Sequence, residues 1–253
     1  MYPNPLKQKM KKGELILGVA LDEVSVGVTT ATCKLDIDFL WMDTEHRPYG
    51  TEAMTMLPII ARRAGVAPLI RVAWNDPALI KKAYDVGAVA VMVPQVTTAE
   101  EAAKAVEYAF YPPKGQRGVA PNWPRLAGED YINVVQTSVE ETVLILQIES
   151  KEAYENLDEI LKVPGFDGLF LGPMDMSASL GVIGELNGPE VREVQKGLAE
   201  RLKGTGIAAA TLLNNLDMDE AREKIGWGYN FFSMSTPLNW GINTLNQNLK
   251  SLR

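Results

Sequence analysis

The sequence predicts an α/β fold in which eight parallel strands, each followed by a helix, close into a (β/α)8 barrel. The chain has 253 residues, close to the roughly 250 that one such barrel needs. Short β-rich runs alternate with helical patterns, and the runs are continuously apolar, as expected of strands covered on both faces. The eight runs are residues 15–20, 39–42, 68–72, 88–93, 143–148, 168–171, 207–212 and 229–233.

Helix signals separate these runs. Asp76 and Pro77 form a cap followed by a first-turn proline, and Gly87 stands where that helix should end. Residues 97–101 contain overlapping capping boxes before an alanine-rich helix. No linker rich in glycine, proline or serine divides the chain, so we expect a single domain over residues 1–253. A doubly wound parallel sheet is the competing architecture, because it has the same alternation of strands and helices.

Composition excludes several classes of function. A net charge of −7 and a pI near 5.0 provide no basic surface for nucleic acid. The single cysteine, Cys33, excludes an intramolecular disulfide and is predicted to be a small buried residue ahead of the second strand. No run approaches the ~20 apolar residues that a membrane span needs, and the basic N-terminus lacks the apolar core of a secretion signal. We therefore expect a cytoplasmic protein with no membrane partner.

Polar residues collect where the predicted strands end. Barrel enzymes carry their catalytic groups on the loops at the carboxyl ends of the strands. The residues found there, from the second run to the eighth, are Asp43, Glu45 and His46, Arg71, Gln95, Gln147 and Glu149, Asp175, Thr211 and Asn214, and Ser233 and Ser235. Carboxylates, an arginine and the only histidine should therefore meet at one mouth of the barrel.

Glu149 and Asp175 are the candidate metal ligands. Glu149 follows a run of apolar and amide residues, and a buried carboxylate must be paired or bound to a cation. Asp175 leaves the next strand and could reach the same ion, in an oxygen-rich site suited to Mg²⁺ or Mn²⁺. In the alternative interpretation Glu149 pairs with a basic side chain and Asp175 only caps a helix.

Three further side chains are candidates for catalysis. Arg71 could clamp a carboxylate or carbonyl oxygen, or could form an ion pair with Asp43 or Glu45 across neighbouring strand ends. His46 could be a general base, because its ordinary pKa is near 6.5, or a surface residue. Asp85 could orient the histidine, or could be a solvated residue at the end of a helix.

Two absences narrow the chemistry. No lysine lies within the predicted strands or at their ends, and the nearest, Lys151, belongs to the helix after Glu149. A Schiff-base aldolase, which needs a desolvated lysine, is therefore disfavoured. The loops after the seventh and eighth runs lack the glycine-rich pattern that holds phosphate esters in barrels, which makes a phosphorylated substrate less favoured.

Six short segments share their pattern with a known enzyme family. They read FLWMDTEH at 39–46, PLIRV at 68–72, DVGA at 85–88, YPPKGQRG at 111–118, LQIE at 146–149 and DGLFLGPMDMS at 167–177. In this order they resemble the HpcH/HpaI family, the metal-dependent pyruvate aldolases related to 4-hydroxy-2-oxoheptanedioate aldolase. The resemblance implies a barrel of the phosphoenolpyruvate/pyruvate type. It also implies an enzyme that cleaves or forms 4-hydroxy-2-oxo acids through a metal-stabilised pyruvate enolate.

The resemblance also implies roles for matching residues. Glu149 and Asp175 look like the ligands of a divalent cation, which would be Mg²⁺, Mn²⁺ or Co²⁺. Arg71 looks like the residue that contacts the keto oxygen of pyruvate and stabilises the enolate. His46, oriented by Asp85, looks like an acid/base dyad that acts on the aldehyde side.

Binding of pyruvate is implied for a second group of residues. Gln147 would contact the bound 2-oxo acid, and the backbone amides around residues 173–175, which include Met174 and Asp175, would hold its carboxylate. The other substrate would be an aldehyde.

The family's barrels assemble as hexamers, trimers of dimers, in which the last helix is exchanged between subunits. The segment at about residues 238–252 has apolar residues at helical spacing, namely Leu238, Ile242, Leu245, Leu249 and Leu252. Such a helix would suit packing on its own barrel or on that of a partner.

Departures from the family pattern keep other functions open. Arg47 follows the histidine where the family has a small residue, and residues 122–125 are unusual for the long loop, so acceptor specificity is in doubt. The alternative enzyme is a metal-dependent decarboxylase or lyase on oxaloacetate or an acyl-CoA, similar to macrophomate synthase or citrate lyase. An acyl-CoA would need a basic groove, for which only Lys114, Arg117 and Arg125 are candidates. A barrel that binds a metabolite without turnover is the non-enzyme alternative.

Overall fold

The computed structural model describes residues 3–213 and 217–252 and contains a closed barrel of eight parallel strands in sequence order. This confirms the predicted (β/α)8 fold over the doubly wound sheet, because β8 pairs with β1 and closes the sheet. The strands are β1 Ile16–Ala20, β2 Phe39–Asp43, β3 Ala67–Arg71, β4 Ala90–Val93, β5 Val143–Ile148, β6 Gly168–Leu171, β7 Ala208–Leu213 and β8 Phe231–Met234. Asn214, expected after the seventh strand, lies outside the described residues.

Helices surround the barrel and connect its strands. They are α1 Pro5–Lys12, α2 Val26–Thr32, α3 Leu57–Arg63, α4 Pro77–Asp85, α5 Ala99–Ala109, α6 Trp123–Ala127, α7 Tyr131–Gln136, α8 Ser138–Glu141, α9 Lys151–Glu155, α10 Leu157–Ile160, α11 Pro173–Ser179, α12 Pro189–Leu202, α13 Met218–Trp227 and α14 Pro237–Ser251, with a 3₁₀ helix at Thr51–Met54. The predicted caps are present. The Asp76 side chain accepts from Ala78 and Leu79 ahead of α4, and Thr98 with Glu101 forms the capping box of α5.

The predicted strands agree with the observed ones to within two residues at each end. The fifth and sixth have the predicted bounds, whereas the fourth begins at Ala90 rather than residue 88. Ala88 and Val89 are buried all the same. Because an apolar residue can be buried just before its strand joins the ladder, hydrophobicity alone places a strand's start too early.

Side chains fill the interior of the barrel below the mouth. Phe39 and Phe231 have ring centroids 4.4 Å apart, and Trp41 meets Phe170 edge-on at 5.4 Å. Gly18 makes room for this packing, since a Cβ there would lie 2.4 Å from the Phe39 ring. The interior of the barrel is therefore a packed core.

Helix α1 covers the amino end of the barrel. Leu6 and Met10 of α1 are buried against the interior residues. The Lys7 ammonium donates to the Thr142 carbonyl at 2.8 Å and pairs with the Asp167 carboxylate. This leaves the carboxyl end of the barrel as the place for a substrate.

Helix α14 differs from the rest of the shell because none of its described residues is buried. Its apolar residues are 41% to 84% exposed, and they are Leu238, Trp240, Ile242, Leu245 and Leu249, followed by Leu252. Large apolar side chains at this spacing form a stripe along one face of the helix, and the exposure of this stripe to water is unfavourable in free energy. Within the described residues, no helix has the length and apolar character needed to cross a bilayer.

Candidate active site

Arg71 is the centre of a buried ion-pair network at the ends of β2 and β3. The strand register sets Asp43 beside Arg71. Arg71 donates from Nε to Asp43 Oδ1 at 2.9 Å and from Nη2 to Oδ2 at 2.7 Å, and its Nη1 lies 2.9 Å from Glu45 Oε2. The alternative of an ion pair is therefore what the structure shows. Because a guanidinium has five N–H donors, this network leaves some of them for a substrate oxygen.

The two carboxylates of this network titrate differently. Burial raises the pKa of Asp43, but the hydrogen bonds and charge of Arg71 outweigh it, so the pKa lies below its ordinary value. For Glu45, burial dominates over the charges of Arg71 and His46, and its pKa lies above the ordinary value. Asp43 and Asp175 raise the pKa of Glu45 further. Two acids thus share one guanidinium, and the mouth has an excess of negative charge.

Glu149 is buried at the end of β5 and held by hydrogen bonds from two sides. It is 5% exposed. The backbone N–H of Gln95 donates to its Oε1 at 2.7 Å, and the side-chain amide of Gln147 donates to its Oε2. Burial raises the pKa of Glu149 to about 7, and the nearby charges of Glu45 and Asp175 add to this. A bound cation would offset both the free-energy cost of burying the charged carboxylate and the repulsion between these acids.

Asp175 lies in the first turn of α11, near enough for its charge to act on the Glu149 carboxylate. It contributes to the raised pKa of Glu149, and it is exposed, as is Met174 before it. Gly172 precedes the helix, and a Cβ there would lie 2.8 Å from Glu149 Oε2. The structure therefore brings the two predicted metal ligands to one mouth. Within the described ranges, no group of three or more His, Cys, Asp or Glu side chains is placed to hold a metal ion.

His46 stands at the same mouth but faces solvent. Its side chain is 59% exposed, and its Nε2 lies 3.6 Å from Glu45 Oε2. Glu45 is therefore its acidic neighbour within the chain. Arg47, which follows, donates to Asp22 Oδ1 at 2.7 Å and so links the loops after β1 and β2.

Asp85 does not lie beside His46 in the same chain. Helix α4 starts after the carboxyl end of β3 and returns to the amino end, where Val89 bonds to Pro68 at the start of β3. Asp85, the last residue of α4, therefore lies at the opposite end of the barrel from the histidine. Burial raises its pKa to about 6, and its Oδ1 has no hydrogen-bond partner among the described residues.

The chain matches a family model described as HpcH/HpaI aldolase/citrate lyase over residues 27–243. It belongs to this family. It is 35% identical over 256 residues to the 2-keto-3-deoxy-L-rhamnonate aldolase of Escherichia coli O9:H4 (strain HS), with 98% of this chain and 93% of the relative covered. Membership confirms the prediction of an aldolase-type carbon–carbon lyase of class II, the metal-dependent class.

Solved structures of the family have the same architecture. An HpcH/HpaI aldolase/citrate lyase family protein from Burkholderia cenocepacia J2315 is similar with a TM-score of 0.90, 30% identity and 99% of both chains covered. Macrophomate synthase is similar with a TM-score of 0.83 and 27% identity, with 98% of this chain and 88% of that chain covered. The barrel thus carries more than one named activity.

The sequence interpretation undervalued three features of this HpcH/HpaI site. Glu45 contacts both Arg71 and His46, whereas the sequence indicated it only as one of two possible ion-pair partners of Arg71. Gln147 donates to Glu149 through its side chain, and its Oε1 has no partner among the described residues. The Gln95 contribution comes from its backbone, which no pattern of side chains can reveal. Of the strand-end hydroxyls, Thr211 donates to the Leu171 carbonyl at 3.2 Å.

Proposed function

We propose that this enzyme cleaves 4-hydroxy-2-oxo acids to pyruvate and an aldehyde with Mg²⁺, Mn²⁺ or Co²⁺ held by Glu149 and Asp175. One observation carries the proposal most strongly: Glu149 is buried beside Glu45 and Asp175, whose charges raise its pKa. Arg71 already pairs with Asp43 and Glu45, and a cation would balance the remaining acids, Glu149 and Asp175. Carboxylate oxygens are the ligands that these hard cations prefer.

The remaining residues supply binding and orientation. A bound divalent cation would polarise the keto oxygen of the 2-oxo acid and stabilise the enolate that forms on carbon–carbon cleavage. Arg71 would donate its free N–H groups to the same oxygen, where negative charge develops. Gln147 would contact the bound 2-oxo acid by donating the second hydrogen of its side-chain amide, since the first is donated to Glu149. The amides around residues 173–175 would hold the carboxylate, since no side chain caps α11.

The relative's name suggests the substrate class. Removal of pyruvate from a 2-keto-3-deoxy sugar acid leaves a hydroxyaldehyde, and we infer that hydroxyaldehydes are the acceptors here too. The excess of acidic groups at the mouth supports this, because a second carboxylate on the aldehyde would be repelled.

We infer further that the active form of the enzyme is an oligomer, like the hexamers that the family forms. Helix α14 leaves its apolar stripe uncovered, so its exchange onto a second barrel would bury that stripe. A dyad of His46 and Asp85 can then form only between two copies of the chain, because within one copy the two residues lie at opposite ends of the barrel.

Oxaloacetate decarboxylation and pyruvate methyl-proton exchange, each with and without EDTA, test this function. Both reactions should need a divalent cation, and Glu149→Ala should lower both by on the order of 100-fold or more. Glu152→Ala, an exposed glutamate in the next helix, is the matched control and should behave as the parent does. Activity that persists in EDTA, or in Glu149→Ala, would rule out the proposed metal site.

The second candidate is a decarboxylase or addition enzyme that uses the same enolate, which the similarity to macrophomate synthase favours. Turnover of oxaloacetate without cleavage of any 4-hydroxy-2-oxo acid would select it. An acyl-CoA substrate is less well supported. Arg117 is 6% exposed and stacks on the Tyr84 and Tyr111 rings at 4.4 and 3.9 Å, so it offers no surface charge to a nucleotide.

A further inference from the structure

We propose that Gln95 and Gly172 are positioning residues that together set the direction of the Glu149 carboxylate toward the cation; the proposal rests on the function proposed above. Glu149 follows β5, and Gln147 of that same strand donates to its Oε2, but residues that follow two other strands border its carboxylate. Gln95 follows β4, and Gly172 follows β6. The two neighbours of β5 thus hold its last carboxylate between them.

The contribution of Gln95 is a backbone N–H presented by an unusual conformation. Gln95 has φ 53°, in the left-handed region that residues other than glycine and asparagine rarely adopt. This conformation turns two successive N–H groups toward β5. Gln95 donates to Glu149 Oε1 at 2.7 Å, and Val96 donates to the Gln147 carbonyl at 3.2 Å. The first amide thus binds the Glu149 carboxylate, and the second ties the loop to the backbone of β5.

Contacts of the two residues after Gln95 hold this conformation in place. Val96 is 1% exposed. Thr97 donates from its backbone to Glu101 Oε2 at 2.7 Å, and its carbonyl accepts from Asn156 Nδ2 at 3.0 Å. A sparsely populated backbone conformation persists only where the surroundings determine it in this way, and such residues cluster at functional sites.

The contribution of Gly172 is the absence of a side chain. A Cβ there would lie 2.8 Å from Glu149 Oε2 and 2.9 Å from Gln147 Nε2. Any larger residue would push this hydrogen-bonded pair away from β6. With Oε1 bonded to Gln95 and Oε2 to Gln147, each oxygen keeps one further lone-pair direction for a cation.

This arrangement makes a specific prediction about side chains. The Gln95 side chain is exposed, so its chemistry should not matter, whereas its tolerance of positive φ should. Metal affinity should follow the order in which residues accept the left-handed region, with glycine and asparagine best and β-branched residues worst. A role for the glutamine side chain itself would give a different order.

The test is titration of the metal-free full chain with Mn²⁺, with free Mn²⁺ followed by electron paramagnetic resonance. Gln95→Gly and Gln95→Asn should bind Mn²⁺ about as well as the parent. Gln95→Val and Gly172→Ala should each bind it at least roughly tenfold more weakly, the usual effect of losing a partner that orients a ligand. Gln136→Val, at an exposed helical glutamine, and Gly226→Ala, where a Cβ meets nothing within 4 Å, are the matched controls.

Affinities equal to the parent in folded Gln95→Val and Gly172→Ala would overturn the proposal. If Gln95→Val does not fold, Gln95→Ala against Gln95→Gly decides it, because alanine also disfavours positive φ; equal affinities in that pair would overturn it as well. Glu149→Ala tests the proposed function separately. If Glu149→Ala binds Mn²⁺ as the parent does, the metal site itself is wrong.

Discussion

Two buried arginines at opposite ends of the barrel show how differently the two ends are built. Arg71, 7% exposed at the carboxyl end, is bound by the carboxylates of Asp43 and Glu45. Arg62, 4% exposed at the amino end, donates to the carbonyls of Gly87 and Ala88 at 2.6 and 3.3 Å. The Arg62 guanidinium also stacks 3.5 Å from the Trp123 ring centroid.

Arg71 therefore has a charge placed for catalysis, whereas the charge of Arg62 stabilises the fold. Arg62 fixes the backbone ahead of β4 through hydrogen bonds to carbonyl groups. Arg71 stands among titratable acids whose pKa values it shifts. Perturbed ionisable groups gathered in one cleft are typical of active sites.

The substitution Arg71→Lys should have the largest effect on catalysis. Lysine keeps the charge but cannot donate from Nε and Nη2 to both oxygens of Asp43, nor reach Glu45 from the same plane. We expect kcat/KM for oxaloacetate decarboxylation to fall about 100-fold. Arg62→Lys is the matched control and should keep its activity. Equal losses in the two variants would erase the distinction between the two ends.

The second prediction concerns Asp85, the one candidate site residue at the amino end. His46→Ala and Asp85→Ala should each impair aldol cleavage. If the dyad spans two copies, unfolding and refolding the two inactive variants together should restore activity, because some sites then combine an intact histidine with an intact aspartate. Mixed oligomers without recovered activity would refute a dyad between subunits.

The third prediction is a loss of stability without a loss of chemistry. Arg62→Met should leave the buried carbonyls of Gly87 and Ala88 without their donor, at a cost of about 2–4 kcal/mol in the free energy of unfolding. Denaturant unfolding measures this, and decarboxylation by the folded variant should match the parent. A variant as stable as the parent but inactive would show that the amino end takes part in the chemistry.

The smallest effect concerns Cys33, which follows α2 and is 8% exposed. Burial raises its pKa to about 11, so the thiolate that reacts with disulfide reagents is scarce at pH 8. We expect slow labelling of the folded enzyme and fast labelling in denaturant. Fast labelling in the folded state would contradict the inert, buried residue that the sequence predicts.

Much of the fold and the acidic site could be predicted because strand ends in a barrel converge. Continuous apolar runs identify strands, and the residue after each run then lies at the mouth. This reasoning located Arg71, Glu149 and Asp175 without coordinates. It does not apply to Asp85, because the motif DVGA gives a residue type and a position in a helix, but not which end of the barrel that helix end reaches.

The sequence by itself determined the strand count, the acidic mouth and the family, because periodicity and local motifs act over a few residues. Only the tertiary structure decided that Arg71 is shared by Asp43 and Glu45 and that His46 and Asp85 lie apart in one chain. It also decided that the backbone of Gln95 reaches Glu149. These outcomes depend on strand register, on the return direction of a helix and on a single φ angle. Each is set by long-range packing, which leaves no local mark in the order of residues.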